Sequence, residues 1–253
     1  MKIYKLLACI GILLLLSNPL RAHNIWIEVK PSGELNQTQK IVVHYGEYSY
    51  GHYEKTNDGF KEVEDFRLWL IRPDGSKKEL ILEKKTKSYV SEFIPQSPGL
   101  YSIILKSNKA EVVDWREYDL GILKPNFYAT AATVIGSNKA QKIENHNQEL
   151  ENINPLVIHS MNKVENSLLD TGDELMLRVS YKGKPLKEHE LVVGISDQWT
   201  KTVYTNNKGV ARIRLPWAQQ YVAEVVYTEE NPGTFNEKDF EKVRHTASYT
   251  IKL

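Results

Sequence analysis

Hydrophobic and polar residues alternate along many short segments of this chain. The clearest case is Ile25, Ile27 and Val29, which are separated by Trp26 and Glu28. A period of two places successive side chains on opposite faces of a β-strand. Similar short apolar segments predict further strands at residues 40–44, 66–71, 79–82, 88–94 and 100–105.

Turn sequences separate these predicted strands. Residues 72–75 read Arg-Pro-Asp-Gly, and residues 95–99 contain two prolines and a glycine. Such residues favour tight turns because proline fixes φ and glycine accepts positive φ. Short strands with a turn about every ten residues are typical of a β-sandwich. We therefore predict a first sandwich domain over residues 23–135.

A second set of predicted strands follows a polar segment. Residues 136–154 are rich in Asn, Lys, Gln and Glu, which predicts mainly a linker, with a short helix as the alternative. Beyond it, strands are predicted at 156–159, 174–181, 190–196, 201–205, 210–215, 220–227 and 247–253. This density of short strands predicts an Ig-like sandwich over residues 155–253. The predicted fold class is therefore all-β, with two Ig-like β-sandwich domains.

The first 22 residues have the features of a secretory signal peptide. Lys2 and Lys5 precede an apolar run at 6–16, and Leu-Arg-Ala at 20–22 offers a cleavage site. This run of 11 residues is too short to span a bilayer, which takes roughly 20 residues. We therefore expect an exported, periplasmic protein that has no membrane insertion after the signal peptide at 1–22 is cleaved.

Cleavage after Ala22 would give His23 a free α-amine. An α-amine titrates at roughly 7.7–8.0 and an imidazole at roughly 6.5, so both lose their protons near neutral pH. The amine and Nδ1 of this one residue would then chelate a metal ion. A histidine inside a chain has no such amine, which makes His23 the first candidate ligand.

Composition restricts the chemistry of any site. The single cysteine, Cys9, lies in the predicted signal peptide, so the processed chain has no thiolate ligand, and the metal ligands expected in it are nitrogen and oxygen atoms. Loss of Lys2, Lys5 and Arg21 leaves 30 basic and 32 acidic residues, a net charge of −2, with no basic block. This charge gives no reason to expect nucleic acid as a partner.

Two of the seven histidines bracket a segment rich in glycine and tyrosine. His44 and His52 lie eight residues apart, with two glycines and three tyrosines between them. The glycines would let this loop fold back and bring both rings to one edge. Glu47 and Glu54 lie in or beside the segment, where each would ligate a metal or orient a ring. His52 and His44 therefore join the candidate ligands.

Several motifs in the second half of the chain form a recognisable series. They are Gly-Lys-Pro-Leu at 183–186, Val-Val at 192–193, Thr-Asn-Asn-Lys-Gly at 205–209 and Tyr-Val-Ala at 221–223. Together they resemble a carboxypeptidase-regulatory or Cna B-type module, which implies an Ig-like fold for this half.

Further motifs extend across the whole chain after the signal peptide. They are Ala-His-Asn-Ile-Trp-Ile-Glu at 22–28, Gly-His at 51–52, Pro-Gly-Leu-Tyr at 98–101 and Arg-His-Thr-Ala-Ser-Tyr-Thr at 244–250. The chain resembles a family of exported two-domain proteins that long carried only an unknown-function label. Many of its members are assigned to nickel or cobalt uptake. The resemblance implies a periplasmic, metal-associated and non-enzymatic role, and it adds His245 to the candidate ligands.

The combined prediction is a periplasmic binding protein for a divalent transition metal. The ion would be nickel or cobalt, with copper as a further option, held by His23, His52, His44 or His245. The protein would buffer the ion or hand it to a membrane metal transporter. No G-x-S-x-G, H-E-x-x-H, P-loop or G-x-G-x-x-G motif indicates an enzyme.

Two alternatives stay open on the sequence. An amino-terminal histidine paired with a second histidine on an Ig-like sandwich is the arrangement of the copper histidine brace in polysaccharide monooxygenases. The protein would then be an oxidative enzyme. The other alternative is a metal-free adaptor or carbohydrate-binding protein made of two Ig-like domains.

Overall fold

The computed structural model of the protein describes residues 23–136, 143–162 and 169–253, so the predicted signal peptide lies outside the described residues. The first half of the chain contains the strands β1 (Asn24–Val29), β2 (Ser32–Gly33), β3 (Gln39–Glu47), β4 (His52–Tyr53), β5 (Arg67–Ile71), β6 (Lys77–Glu79), β7 (Glu83–Lys84), β8 (Tyr89–Phe93), β9 (Gly99–Ser107), β10 (Val113–Trp115) and β11 (Gly121–Ile135). Short 3₁₀ helices lie at Tyr48–Tyr50, Gly59–Val63 and Arg116–Tyr118.

The second half begins with one helix and continues as strands. These elements are α1 (Ile143–Ile153), β12 (Leu156–Ser160), β13 (Glu174–Tyr181), β14 (Lys184–Pro185), β15 (Glu190–Ile195), β16 (Trp199–Tyr204), β17 (Val210–Arg214), β18 (Gln220–Glu229), β19 (Gly233–Phe235), β20 (Lys238–Phe240) and β21 (Lys242–Lys252). The all-β prediction is confirmed, and most predicted strands lie within two or three residues of an observed one.

A single ten-stranded sheet runs through both halves of the protein. Its main path has the order β16-β15-β18-β21-β11-β9-β5-β6. At its centre, β11 and β21 pair in parallel, from Leu123 opposite Lys242 to Ala131 opposite Thr250. The last strand of the first half is therefore bonded to the last strand of the second half.

The strand β11 was not predicted from the sequence. Its residues are buried along almost the whole length, on both faces. A strand covered on both faces need not alternate between apolar and polar residues, so a search for a period of two misses it. The strand β21 begins at Lys242, earlier than the predicted start at residue 247, because its first residues, Lys-Val-Arg-His-Thr, are mostly polar.

Two smaller sheets cover opposite faces of the large sheet. Phe127, Ala129 and Ala131 of β11 belong to the core of the first half, whereas Tyr128 between them belongs to the core of the second. Since successive side chains of a strand point to opposite faces, the two cores lie on opposite faces of the sheet. The path β1-β3-β8-β7 closes the first sandwich, and β12-β13-β14 with β17 closes the second.

The helix α1 lies inside the range 136–154, where the sequence predicts mainly a linker. Its Leu150 is buried with Ile71, Ile104 and Val157. The helix therefore covers the face of β5 and β9 that points away from the first core. No helix among the described residues is long and apolar enough to cross a membrane.

Strand β1 is held between the two halves. Its Ile25 and Ile27 face the first core, and Trp26 packs on Tyr48 and on Val222 of the second half. The hydroxyl of Ser248 donates a hydrogen bond of 2.5 Å to the carbonyl oxygen of Ile25. These contacts fix the segment that carries His23.

Trp26→Ala tests whether the halves unfold together. The Trp26 side chain is 0 % exposed, so we expect its loss to cost about 3–5 kcal/mol of unfolding free energy. Because the halves share a sheet, circular dichroism and tryptophan fluorescence should report one coincident urea transition.

The matched control is Trp217→Ala, since Trp217 is 47 % exposed. We expect this control to change stability by less than about 1 kcal/mol. Two separate transitions, or equal losses in both variants, would contradict the shared-sheet account.

Candidate metal centre

His23 immediately precedes β1 and points toward the first core. It alternates with Asn24 and so lies on the same side of the strand as Ile25. Its ring centre is 5.2 Å from that of Tyr45. The side chain is 33 % exposed, so the imidazole is supported by an aromatic ring and still open to solvent.

A tight fold-back of the chain after β3 brings His52 to the same place. Gly46 has φ +144°, and a Cβ on it would lie 2.3 Å from the carbonyl oxygen of His52. The chain then turns through Tyr48–Tyr50 and Gly51, which has φ +65°, so that His52 pairs with Glu47. Only glycine at position 46 permits this approach.

His23, His52 and Glu54 form one compact cluster. The Nε2 atoms of His23 and His52 each lie 2.9 Å from Oε1 of Glu54. The two imidazole rings are perpendicular, with centres 6.1 Å apart. One ligand atom from each residue lies within 4.8 Å of the others. Among the described residues, this is the one group of three such side chains close enough to hold a single metal ion.

The charges in the cluster favour an ionised carboxylate. Burial acts to raise the pKa of Glu54, but the hydrogen bonds from His23 and His52 outweigh it and leave the pKa below its ordinary value. Nδ1 of His23 lies 3.8 Å from Oε1 of the buried Glu47. The ring of His23 thus has one carboxylate on each side.

The candidate His44 lies apart from this cluster. It alternates with Val43 and Tyr45, whose side chains face the core, so its own ring lies on the opposite face of β3. There it stacks on Trp26 at 5.3 Å, and its Nε2 lies 3.5 Å from Oε1 of Glu28. Spacing along the chain did not reveal that His44 and His52 occupy different faces.

The candidate His245 also lies apart, on the other face of the large sheet. Its Nδ1 is 2.9 Å from the hydroxyl of Tyr128, and its Nε2 is 3.3 Å from that of Tyr181. Burial lowers the pKa of His245 to about 4, and the nearby Glu229 carboxylate offsets only part of that effect. His245 is thus a neutral, hydrogen-bonded residue of the second core.

A cleft of about 670 Å³ opens beside His23. Its lining from the first half includes the aromatic side chains of Tyr45, Phe127 and Trp115. Its lining from the second half includes Arg244 and Thr246 of β21. Neither Trp115 nor Arg244 was predicted from the sequence as a site residue, although Arg244 opens the motif at 244–250. The pairing of β10 and β21 with β11 brings them to the cleft, and the second of these pairings joins distant parts of the chain.

A comparison with protein families gives one match. The family described as "Domain of unknown function (DUF4198)" matches residues 20–229. This range includes His23, His52 and Glu54. No curated protein shows significant sequence similarity to the chain.

Solved structures with similar folds share little sequence with this chain. A two fibronectin type-III domain segment from chicken tenascin is 13% identical, and the match covers 90% of this chain and 97% of that one, with a TM-score of 0.24. A mutant of Salmonella alpha-2-macroglobulin is 9% identical, and the match covers 94% of this chain and 15% of that one, with a TM-score of 0.31.

The burial of His245 predicts a specific pH dependence of stability. Its pKa is about 4 in the folded protein and about 6.5 when unfolded. The unfolded chain therefore binds more protons between these values, and stability falls as the pH drops from about 6.5 to about 4.

His245→Gln should reduce this loss by on the order of 1–2 kcal/mol between pH 7 and pH 5, even if the variant is less stable at pH 7. Urea unfolding at both pH values measures it. An identical pH dependence in the variant and the native protein would contradict the assignment of His245 as a buried neutral histidine.

Proposed function

We propose that this protein, which belongs to the DUF4198 family, is a periplasmic binding protein for a divalent transition metal. Nickel or cobalt is the ion it carries, with copper as a further option. The metal is cargo, held by His23, His52 and Glu54. The protein buffers the ion or delivers it to a membrane transporter.

The observation that carries the proposal is the convergence of three ligand atoms from two separate parts of the chain, His23 and the segment 52–54. Both imidazole Nε2 atoms face the same oxygen of Glu54 at 2.9 Å. Imidazole nitrogen suits nickel, cobalt, copper and zinc, whereas magnesium and calcium prefer sites made of oxygen alone. The donor set therefore fits a late transition metal.

The exposure of the ligands supports reversible loading. The side chains of His52 and His23 are 54% and 33% exposed. Three protein ligands also leave coordination positions open, unlike the four that close a structural zinc site. A site of this kind suits an ion that is taken up and released.

Export also enters the proposal. Cleavage of a signal peptide after Ala22 would place His23 at the amino terminus and the metal site in the periplasm. The resemblance to nickel and cobalt uptake proteins supports a role beside a metal transporter. It is the reason for preferring nickel and cobalt over zinc, which the same ligands also suit.

The copper histidine brace is the second candidate, because two histidines do meet at the site. A brace uses the α-amine and Nδ1 of the terminal histidine. In this structure Nδ1 of His23 faces Glu47, and Nε2 faces Glu54 and His52. This orientation supports metal binding through Nε2 over the brace.

Removal of any one ligand should abolish tight binding. We expect His23→Ala, His52→Ala and Glu54→Gln each to weaken nickel binding by roughly a hundredfold or more, since loss of outer partners alone costs 10–100-fold. Isothermal titration of the processed protein with nickel and cobalt measures this.

His44→Ala and His189→Ala are the matched controls, because each removes a histidine outside the cluster. They should bind nickel as the native protein does. If His44→Ala loses the metal while Glu54→Gln retains it, the ligand set proposed here is wrong.

One added alanine before His23 separates the two modes of binding. The extension removes the free α-amine from His23 and leaves its imidazole in place. If Nε2 is the ligand, the affinity for nickel should change by less than about tenfold. A larger loss would indicate chelation through the amine and Nδ1.

Copper-dependent peroxide formation with ascorbate, present in the native protein and absent from His52→Ala, would then favour the oxidative enzyme.

A further inference from the structure

The cleft beside His23 has no role in holding the bare ion. It has a volume of about 670 Å³, far larger than a hydrated metal needs. His23 is one of its lining residues, so a metal bound by His23 would lie at its edge. A ligand in the part of the cleft next to His23 would then lie beside that metal.

Most acidic groups in the cleft already have partners within the protein. Asp65 lies 3.2 Å from Nζ of Lys109, and Glu64 is paired with Lys84. Glu111 lies 3.2 Å from Nζ of Lys238. These three pairs are neutral, and the remaining acidic residue of the lining, Glu62, accepts a hydrogen bond of 3.3 Å from the hydroxyl of Tyr45.

Arg244 differs from these charged residues. Its guanidinium lies over the ring of Trp115, with 5.8 Å between its central carbon and the ring centre. Within the described part of the chain, no carboxylate lies within 4 Å of it. Glu224 acts on it electrostatically, but Glu224 accepts its hydrogen bond from the side-chain amide of Asn24. The fork of N–H donors on Arg244 is therefore available to a ligand.

These features define the chemistry of an occupant. A partly buried arginine on an aromatic ring is suited to binding a carboxylate, which accepts two parallel N–H donors. Tyr45, Phe127 and Trp115 offer apolar surface for a carbon skeleton. A metal held by His23 would bind a hydroxyl, amine or carboxylate of the same molecule.

We propose that the cleft binds a small organic carboxylate that chelates the metal, so that the protein takes the ion as a metal–chelator complex. One carboxylate contacts Arg244, and other donor atoms complete the coordination of the metal at His23, His52 and Glu54. This inference rests on the proposed function and names the form in which the cargo is bound.

The test uses equilibrium dialysis of the processed protein with radioactive nickel and labelled citrate. Citrate is the probe, and tricarballylate, which lacks only the hydroxyl of citrate and chelates more weakly, is its matched control. We expect one nickel and one citrate per protein. The affinity for citrate should be at least about tenfold higher with nickel than without it, because citrate donor atoms would bind the nickel, and citrate should raise the affinity for nickel by the same factor.

Variants of the cleft identify the contact. Arg244→Gln should weaken citrate binding by about tenfold or more, since it removes the charged N–H donors that a carboxylate accepts. The same variant should keep its affinity for nickel alone. Trp115→Ala should act in the same direction and provides a second variant should Arg244→Gln fold poorly. Arg212→Gln, which removes a surface arginine paired with Glu174, should change neither affinity.

The outcomes separate this inference from the proposed function. If nickel alone binds but citrate does not, the cleft is not a chelator site and the metal site stands. The same conclusion follows if citrate binds equally well to Arg244→Gln and to Arg212→Gln. Removal of nickel from the protein by citrate leads to the same conclusion. If nickel does not bind even without citrate, the proposed function and this inference are both wrong.

Discussion

The parallel pairing of β11 with β21 is the interaction on which the rest of the structure depends. It joins strands that end the two halves of the chain, and it makes one sheet of two sandwiches. The core of each half packs against one face of this sheet. Ala129 faces the first core and Tyr128 faces the second. The halves therefore have fixed positions relative to each other, which a flexible linker between two domains would not provide.

This arrangement also builds the site. Strand β1 lies over the large sheet, held by the hydrogen bond from Ser248 to Ile25 and by the packing of Trp26 on Val222. His23 is thus held at one end of a segment with contacts to both halves. The same pairing brings Arg244 of the second half into the cleft, where its guanidinium lies over the ring of Trp115 of the first. The cluster of His23, His52 and Glu54 and the cleft therefore have one structural cause.

Local patterns in the sequence predict much of the fold and part of the site. Alternation predicted β1, and the turn at residues 72–75 forms as expected, with the amide of Gly75 bonded to the carbonyl of Arg72 at 2.9 Å. The features that were missed depend on contacts between distant residues. Strand β11 is buried on both faces and shows no alternation. The sequence identified His23, His52 and Glu54 as candidates, but only the pairing of β1 with β3 shows that His44 points away from them.

The measurement that tests the central claim most directly is a crystal structure of the processed, nickel-loaded protein with anomalous data at the nickel edge. The account predicts one anomalous peak within bonding distance of Nε2 of His23, Nε2 of His52 and a carboxylate oxygen of Glu54. A peak at His44 and Glu28, or at Nδ1 of His23 without His52, would contradict it. So would a nickel-bound structure in which these three side chains are no longer together.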